Sequence, residues 1–447
     1  MFISNVRLVR QHRHVSHCLL RKALRWLLLA LVLPAAVLAQ PTLSLERAVQ
    51  LSLQRSRQLP AQDAQAESAR HMAVAAGQMP DLTLKLGINN LPVTGPDTFS
   101  FTNDFMTMAS IGFMRELTRN DKLKARSARF EREADVALAD RAMTQINLGR
   151  DAAVAWLERH FQERMRSLLK TQRDEAHQQV EGAQATYRGG RGSQADVFAA
   201  RTLVAQIDER LQQIEQNIAV AQTRLVRWVG PDGYQPLAAA PDLTQVPLNS
   251  NELEELLKSH PRITVLEKQE GVARAEVDIA QTEKKSDWSM ELMFSQRGPA
   301  YSNMISINFS LPLQNNQANR QDRELAARLL RVVQIQAERD EALRERAAEA
   351  GVWLQQWQGN RKRLETYDRD LIPLGAQRTQ AALAAYRGSG PLVAVLEARR
   401  MEIDVRLDRL RLETETAGLW AQLNHLIAAG HEGKDMKAPA AALEKKP

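Results

Sequence analysis

The chain repeats itself once, and that repetition limits what it can fold into more than any other feature. The run Ala185–Arg201 (ATYRGGRGSQADVFAAR) returns as Ala384–Arg399 (AAYRGSGPLVAVLEAR), with Tyr187 matched to Tyr386 and, after a one-residue gap, Arg201 to Arg399. Upstream, Asp81–Ile88 (DLTLKLGI) matches Asp287–Phe294 (DWSMELMF), and Ile111–Phe113 matches Ile307–Phe309. A period of about 200 residues is a tandem duplication of a whole structural unit, not a short solenoid repeat. Each copy reads in the same order: helix, strand, loop, strand, very long helix, glycine-rich turn, returning helix.

Copy one, residues 40–230, predicts a helix near 43–79, strands near 82–90 and 106–115, and a long helical hairpin over 118–229 with helices at 118–186 and 194–229. Copy two, residues 251–430, predicts a helix near 251–284, strands near 288–296 and 303–311, and a hairpin over 317–429 with helices at 317–386 and 393–429. Pro231, Pro236, Pro241 and Pro247 mark 231–250 as the connector between copies, and the Lys-, Ala-, Pro- and Glu-rich segment 431–447 reads as a disordered tail.

No proline occurs between Pro96 and Pro231. A helix over 118–186 is about 100 Å long at 1.5 Å per residue, more than a compact domain can enclose, so it must find partners along its flank. The returning segment offers the seam: Val197, Ala200, Val204, Ile207, Leu211, Ile214, Ile218, Ala221, Leu225 and Trp228 alternate three- and four-residue steps. That is a coiled-coil heptad. Copy two has a thinner version in Ile403, Leu407, Leu410, Thr414, Ala417 and Ala421, and Pro373 is expected to kink its long helix.

The net charge of +7 invites a nucleic-acid reading that its distribution excludes. Arg7, Arg10, Arg13, Arg21, Lys22 and Arg25 precede residue 40 with no acidic side chain; removing those from the 60 basic residues leaves 54 against 53 acidic. Residues 1–39 read as a secretory signal: a basic stretch, the apolar run Trp26–Leu33, Pro34, then Val37-Leu38-Ala39 for cleavage. The single cysteine, Cys18, lies inside that leader, as does the chance grouping of His12, His14 and His17. A chain without it has no disulfide and no thiolate chemistry. No later stretch has the roughly 18–20 apolar residues of a spanning helix.

The strands carry the membrane reading. Leu82, Leu84, Leu86 and Ile88 alternate with Thr83, Lys85, Gly87 and Asn89; Trp288, Met290, Leu292 and Phe294 alternate with Ser289, Glu291, Met293 and Ser295; Ile305, Ile307, Phe309 and Leu311 alternate with Ser306, Asn308, Ser310 and Pro312. Such alternation suits a transmembrane strand with an apolar face toward lipid and a polar face toward a lumen, although a half-buried soluble sheet alternates in the same way. Lys85 and Glu291 on the polar side favour a wet lumen. Four strands cannot close a barrel and hydrocarbon forbids an open edge, so spanning strands require several chains to share one.

With these features in hand, the chain resembles the TolC family of outer membrane factors, the exit ducts of tripartite efflux pumps and type I secretion systems. The resemblance rests on the duplicated layout, the twin Tyr-Arg-Gly…Gly turns at 187–192 and 386–390, and the following Asp196-Val197 and Val395-Leu396-Glu397. Pro80–Leu84, Asn89–Pro92 and Asp104–Met108 look like the cobalt–zinc–cadmium branch that serves heavy-metal RND pumps. The resemblance implies a mainly α fold with transmembrane β structure: a coiled-coil α-barrel in the periplasm, and four β-strands per protomer contributing to a trimeric twelve-stranded β-barrel in the outer membrane. It implies a homotrimer contacting outer-membrane lipid, a periplasmic adaptor and an inner-membrane RND pump, with no cofactor, no nucleic acid and no catalytic residues. The sequence agrees, lacking a phosphate-cradling GxxxxGK[ST] and an HExxH zinc motif.

In that family acidic side chains beside the second turn ring a constricted periplasmic mouth. Glu397 matches one such acid, while a second position reads Ala394, so three chains would give a single carboxylate ring. Asp196 sits at the matching turn of copy one, where it also suits the first turn of a helix. Arg188, Gly189, Gly192 and Ser193, with Arg387, Gly388 and Gly390, form the exposed tips expected to dock an adaptor, their glycines permitting positive φ. Met79, Met106, Met108, Met114, Met290, Met293 and Met304 cluster around the strands; thioethers suit Cu(I), but several, such as Met290, fall on the lipid-facing register and read as simply apolar. The expected function is a passive channel exporting heavy-metal cations, opened by pump and adaptor contact. A multidrug or type I secretion duct and, in another class, a periplasmic coiled-coil adaptor or rod are the alternatives.

Overall fold

The computed structural model describes residues 42–246, 253–388 and 390–435. The leader read over 1–39, residues 247–250 of the connector and the tail beyond Asp435 lie outside the described residues. In chain order the elements are α1 (Leu45–Arg55), α2 (Gln58–Ala76), β1 (Thr83–Asn89), β2 (Met108–Leu117), α3 (Asn120–Arg188) and α4 (Gln194–Val229). The second copy supplies α5 (Leu253–Lys258), α6 (Pro261–Glu283), β3 (Trp288–Arg297), β4 (Met304–Ser310), α7 (Gln321–Thr366), α8 (Ile372–Arg387) and α9 (Leu392–Asp435). The last helix runs five residues into the segment read as a disordered tail.

The long helix α3 is a 69-residue rod, and it is packed sideways as its length demands. Its first half lies against α2 and α6, where Arg141 pairs with Asp63 at 2.7 Å and Arg129 reaches Glu276 at 3.5 Å. Its second half lies against α4 and α9. There Met165, Leu169, Ala176, Val180 and Ala183 join Val197, Ala200, Val204, Ile207 and Leu211 of α4 and Ile403, Leu407 and Leu410 of α9 in one core. These are the heptad positions of both returning helices, so the coiled-coil periodicity is the packing seam. The helices therefore form a layer and not a globule: α2, α3, α6, α7 in succession beneath the strands, and α4, α3, α9, α8 toward the opposite end.

Three elements differ from the sequence expectation. The first helix of each copy is broken at equivalent places, between α1 and α2 and between α5 and α6. Ser56 Oγ accepts the Gln58 N–H at 3.1 Å in the first break, and His260 Nδ1 accepts the Arg262 N–H at 3.1 Å in the second, with Pro261 opening α6. His260 caps α6 by satisfying a donor left without an intrahelical partner, and in the first break Pro60 lacks the N–H that would bond the Ser56 carbonyl in a continuous helix. Strand β2 begins at Met108, two residues later than expected, since Asp104 Oδ1 holds the N–H groups of Met106 (2.7 Å) and Thr107 (3.1 Å) in a turn. The expected disturbance at Pro373 takes the form of a π turn over Tyr367–Leu371, where the Ile372 N–H bonds the Tyr367 carbonyl five residues back. Proline lacks an N–H and crowds the carbonyl four residues before it, so the ladder slips to a wider ring just upstream.

Midway along the helices a collar of indoles ties the two copies together. Trp156 Nε1 donates to Leu43 O at 2.9 Å, Trp420 Nε1 to Gln245 O at 3.0 Å, and buried Arg159 donates through Nη1 to Gly233 O at 2.6 Å. The N-terminal segment and the connector meet in a parallel bridge, Leu43 to Leu237. Both irregular segments thus have their carbonyls satisfied by the coil that they wrap.

The cap at His260 should make stability pH-sensitive. Burial, helped by Arg346, lowers its pKa from 6.5 to about 4, so the native ring is neutral and its Nδ1 free to accept. The unfolded ring binds a proton first; stability from this group is therefore complete above pH 6.5 and is lost as pH falls toward 4. His260→Asn keeps a capping acceptor without the titration. Its thermal midpoint, followed by circular dichroism in detergent, should fall less between pH 6.5 and 4.5 than that of the parent; parallel curves would remove His260 from this role.

Candidate functional site

The four strands form a single antiparallel sheet in the order β1-β2-β3-β4. The register joins Leu84 to Phe113, Phe113 to Leu292 and Leu292 to Ile307, and likewise Leu86 to Ile111, Ile111 to Phe294 and Phe294 to Ile305. Partners in register share a face. One face is therefore apolar across its middle rows: Leu84, Leu86 and Ile88 of β1, Ile111 and Phe113 of β2, Trp288, Met290, Leu292 and Phe294 of β3, Ile305, Ile307 and Phe309 of β4, with Arg115 beside Met290 and Gln296 beside Ala109 toward its two ends. None of it is covered, and exposure runs from 40% at Met290 to 72% at Ile305.

Each such side chain left in water forgoes about 1.5–3 kcal/mol of burial. Summed over the face, that is as large as the roughly 5–15 kcal/mol by which whole domains are stable. The sheet is also open: β1 and β4 each present one edge with no strand beside it among the described residues. Because β1 and β4 run in opposite directions, the β1 of a second copy laid beside β4 would continue the antiparallel ladder without a break in parity.

The other face is polar. Lys85, Gly112, Met293 and Ser306 form one row across it, and Thr83, Met114, Glu291 and Asn308 the next. The two residues expected to line a lumen, Lys85 and Glu291, pair with each other at 2.8 Å. They sit on strands separated by β2, and Lys85 crosses it over Gly112. A Cβ at Gly112 would lie 2.9 Å from Leu292 O and 3.1 Å from Met293 Cα, so glycine lets β2 and β3 approach as well as clearing the lysine's path. The register also places the methionines: Met290 on the apolar face and Met293 on the polar one, as the alternation predicts, with Met108, Met114 and Met304 on the polar face as well rather than toward lipid.

At the opposite end the two helical hairpins turn. Arg188, Gly189 and Ser193, with Arg387 and Gly388, are exposed there; Gly192 and Gly390 are half-covered. The residue that takes a positive φ is Gly190 (72°), rather than Gly189, Gly192, Gly388 or Gly390. Gly192 and Gly390 are needed for space: a Cβ would lie 3.2 Å from Thr186 Cγ2 in one turn and 2.9 Å from the Ala385 carbonyl in the other. The turns close alike, Arg191 N–H to Thr186 O at 3.1 Å and Gly390 N–H to Ala385 O at 2.8 Å. The twin tyrosines diverge. Tyr187 is exposed, whereas Tyr386 turns toward the other hairpin and its OH lies 3.2 Å from Thr186 Oγ1.

Of the two expected gate acids, Asp196 forms a capping box with Ser193, accepting its N–H at 3.0 Å and its O–H at 2.7 Å. Those hydrogen bonds hold its carboxyl below the usual range and account for the residue as the anchor of α4. Glu397 stands exposed in the second turn of α9, with no hydrogen bond or ion pair among the described residues. Sequence reading missed the polar links between hairpins. Buried Glu402 accepts from Arg406 at 2.8 Å and lies 3.3 Å from Arg399, which also reaches Glu175 on α3 at 2.8 Å. Nearby, Arg409 binds Asp368 in the π turn at 2.7 Å. The Arg–Glu spacings of three and four were the available signal.

Among the described residues no group of three His, Asp or Glu side chains could hold a metal ion, and no helix is long and apolar enough to cross a membrane.

Residues 48–231, the span of the first copy, match a family model described as outer membrane efflux protein. No curated protein matches the chain by sequence. Among solved structures it is similar to CusC, described for its folding and transmembrane channel formation, at 16% identity over 86% of this chain and 91% of that one, with a TM-score of 0.69. The outer membrane protein VceC of Vibrio cholerae gives 18% identity over 86% and 96%, TM-score 0.67. A membrane protein of Pseudomonas aeruginosa gives 16% over 88% and 98%, TM-score 0.71. At such identities the likeness establishes the fold, a helical layer carrying a small four-stranded sheet, shared along nearly the whole length of these proteins. The matched descriptions name efflux, channel-forming and membrane proteins, and no enzyme.

Proposed function

We propose that three copies of this chain close a twelve-stranded barrel in the outer membrane and continue it as a helical duct through the periplasm. On this reading the protein is the passive exit channel of a tripartite RND-type efflux system, and heavy-metal cations are its cargo. The observation that carries the membrane assignment is the uncovered apolar face of a sheet open at both edges. Hydrocarbon accepts that face and three-fold repetition removes the edges, whereas water tolerates neither. The fold it shares with solved outer-membrane channels supports the same reading. The leader 1–39 would direct export, and each of the two repeats would lend a pair of strands and a hairpin.

Residues at the ends take their roles from this proposal. Lys85 and Glu291 would face the lumen. The exposed tips around Arg188 and Arg387 would receive a periplasmic adaptor, which links the duct to an inner-membrane pump supplying the energy. Glu397, exposed and unpaired, is the better gate residue of the two, since Asp196 is engaged in its cap. Three Glu397 side chains ringing the mouth would attract cations and hold them weakly. Glu397→Ala should therefore raise resting conductance or blunt block by divalent cations in a planar bilayer; unchanged behaviour in both removes it from the gate.

The test of the whole is purification and reconstitution. A detergent-requiring trimer by light scattering, with single-channel conductance in lipid, is expected. A monomer that dissolves without detergent ends the proposal. Cargo is tested separately: a deletion strain should gain sensitivity to metal salts, and sensitivity to drugs alone would assign the duct to multidrug efflux.

A further inference from the structure

The inner strands of the sheet are longer than the outer ones. β2 and β3, paired on both sides, run for ten residues each, whereas β1 and β4, paired on one side, run for seven. The outer strands fall short at the end nearest the helices. Leu82 just before β1, and Leu311 and Leu313 just after β4, keep step with the apolar face and are all exposed, Leu313 at 76%.

The internal duplication says where a partner along those edges must sit. It aligns Ile88 with Phe294 and Ile111 with Ile307. Carried over on that alignment, the pairing of Leu86 with Ile111 becomes Leu292 with Ile307, which is the pairing that β3 and β4 make. The hairpins of the two copies thus share one register. Between them, β2 of copy one pairs with β3 of copy two. Carried over in the same way, that ladder joins β4 of one chain to β1 of another: Ile111 with Phe294 becomes Ile307 with Ile88, Phe113 with Leu292 becomes Phe309 with Leu86, and Leu117 with Trp288 becomes Leu313 with Leu82.

We propose that β4 of one copy docks on β1 of a second in this register, and that both edge strands lengthen there to bring Leu313 opposite Leu82. The inference rests on the reading that copies share a barrel, and it adds the residues that meet. Leu311 falls opposite Leu84 on the apolar face, and Asn308 opposite Gly87 and Ser310 opposite Lys85 on the polar one. Pro312 does not interrupt the ladder: its carbonyl turns inward to Ser286 Oγ at 2.5 Å, so the N–H it lacks faces its own chain.

Barrel closure supports the same register independently. The row Leu84, Phe113, Leu292, Ile307 arrives at Ile88 of the second copy, four residues beyond its start. Three copies accumulate a stagger of twelve residues over twelve strands. At about 3.3 Å per residue and about 4.8 Å between strands, that tilts the strands by about 35°. Membrane barrels have about 35–45°. A slip of two residues, the smallest that keeps each face intact, would give about 19° in one direction and about 46° in the other.

The test is cysteine cross-linking of the full chain carrying Cys18→Ser, purified in detergent and oxidised with diamide. Asn308→Cys with Gly87→Cys, and separately Ile307→Cys with Ile88→Cys, should give covalent dimers and trimers on a denaturing gel. Asn308→Cys with Lys85→Cys, and Ile307→Cys with Leu86→Cys, match a register slipped by two and should remain single chains, because diagonal positions are about 7–8 Å apart and beyond the reach of a disulfide. A Cβ at Gly87 meets nothing closer than 3.8 Å, so that position accepts the change, and the two faces give two separate chances of an assembled variant. Within one chain β1 and β4 are three strand spacings apart, about 14 Å, so every product is a link between copies. The register is overturned if the slipped pairs cross-link as readily as the aligned ones, or if no pair cross-links in a trimer that still conducts. A monomer without conductance defeats the shared barrel itself.

Discussion

Ile307→Arg is expected to abolish insertion, and Ser306→Arg, one residue away, to leave it intact. The two residues stand at the middle of β4, and the pleat sends them to opposite faces: Ile307 joins Leu292 on the apolar side, Ser306 joins Met293 on the polar side. Ile307 is 60% exposed, so in water an arginine there would be harmless or would improve solubility. At the midplane of a bilayer the same arginine costs about 2–4 kcal/mol, whereas a lumen-facing charge is solvated. A barrel of three copies carries the substitution three times, a total of about 6–12 kcal/mol. That equals the stability of an ordinary domain. The measurement is the fraction of each variant recovered as trimer from outer-membrane fractions. Recovery of both variants would sink the membrane assignment. Loss of both would mean that the strand tolerates no change at all, and the comparison would then pass to Leu86→Arg against Gly87→Ser on β1.

Much of this arrangement was legible where the covalent chain itself dictates it. The absence of proline from 97 to 230 foretold the unbroken α3, and the bounds of α4 coincide with its expected span because Ser193 and Gly230 are strong local signals at its two ends. The strands could be read because period-two alternation has no helical counterpart. The breaks at Ser56 and at His260 were legible and passed over: Pro60 and Pro261 lie in the first turn of the helices that follow, where a continuous helix would need their missing N–H, while the apolar spacing that continues across both favoured one long helix. The collar, by contrast, was hidden. Trp156 and Trp420 bond carbonyls 113 and 175 residues away, and no local pattern encodes such a partner. Residues 290 and 293 differ by an odd number, so the alternation already sent them to opposite sides; the faces of Met108, Met114 and Met304 came only with the register of the sheet.

The collar leads to the second large effect, because everything that joins the strand end to the hairpin end passes through it. Trp156 has no exposed surface, stacks on His160 at a centroid distance of 5.0 Å, and donates to Leu43 O. That carbonyl also accepts the Ala238 N–H at 3.0 Å, so the indole clamps the point where the N-terminal segment crosses the connector. Trp156→Ala should cost about 3–5 kcal/mol, the usual price of emptying a buried aromatic site. Trp156→Phe keeps most of the ring contact and removes the N–H, and should cost about 1 kcal/mol, since the Leu43 carbonyl retains a second donor. Denaturant unfolding in detergent gives both numbers, and limited proteolysis should show new cleavage between 231 and 246 in the alanine variant first. The helical hairpins have their own core around Ile207 and Ile403, far along the coil, and should stay protected in that digest. Equal losses in the two variants would put the whole contribution in one hydrogen bond. No loss in either would mean that strands and hairpins hold the chain without the collar, leaving the buried tryptophan without a structural reason.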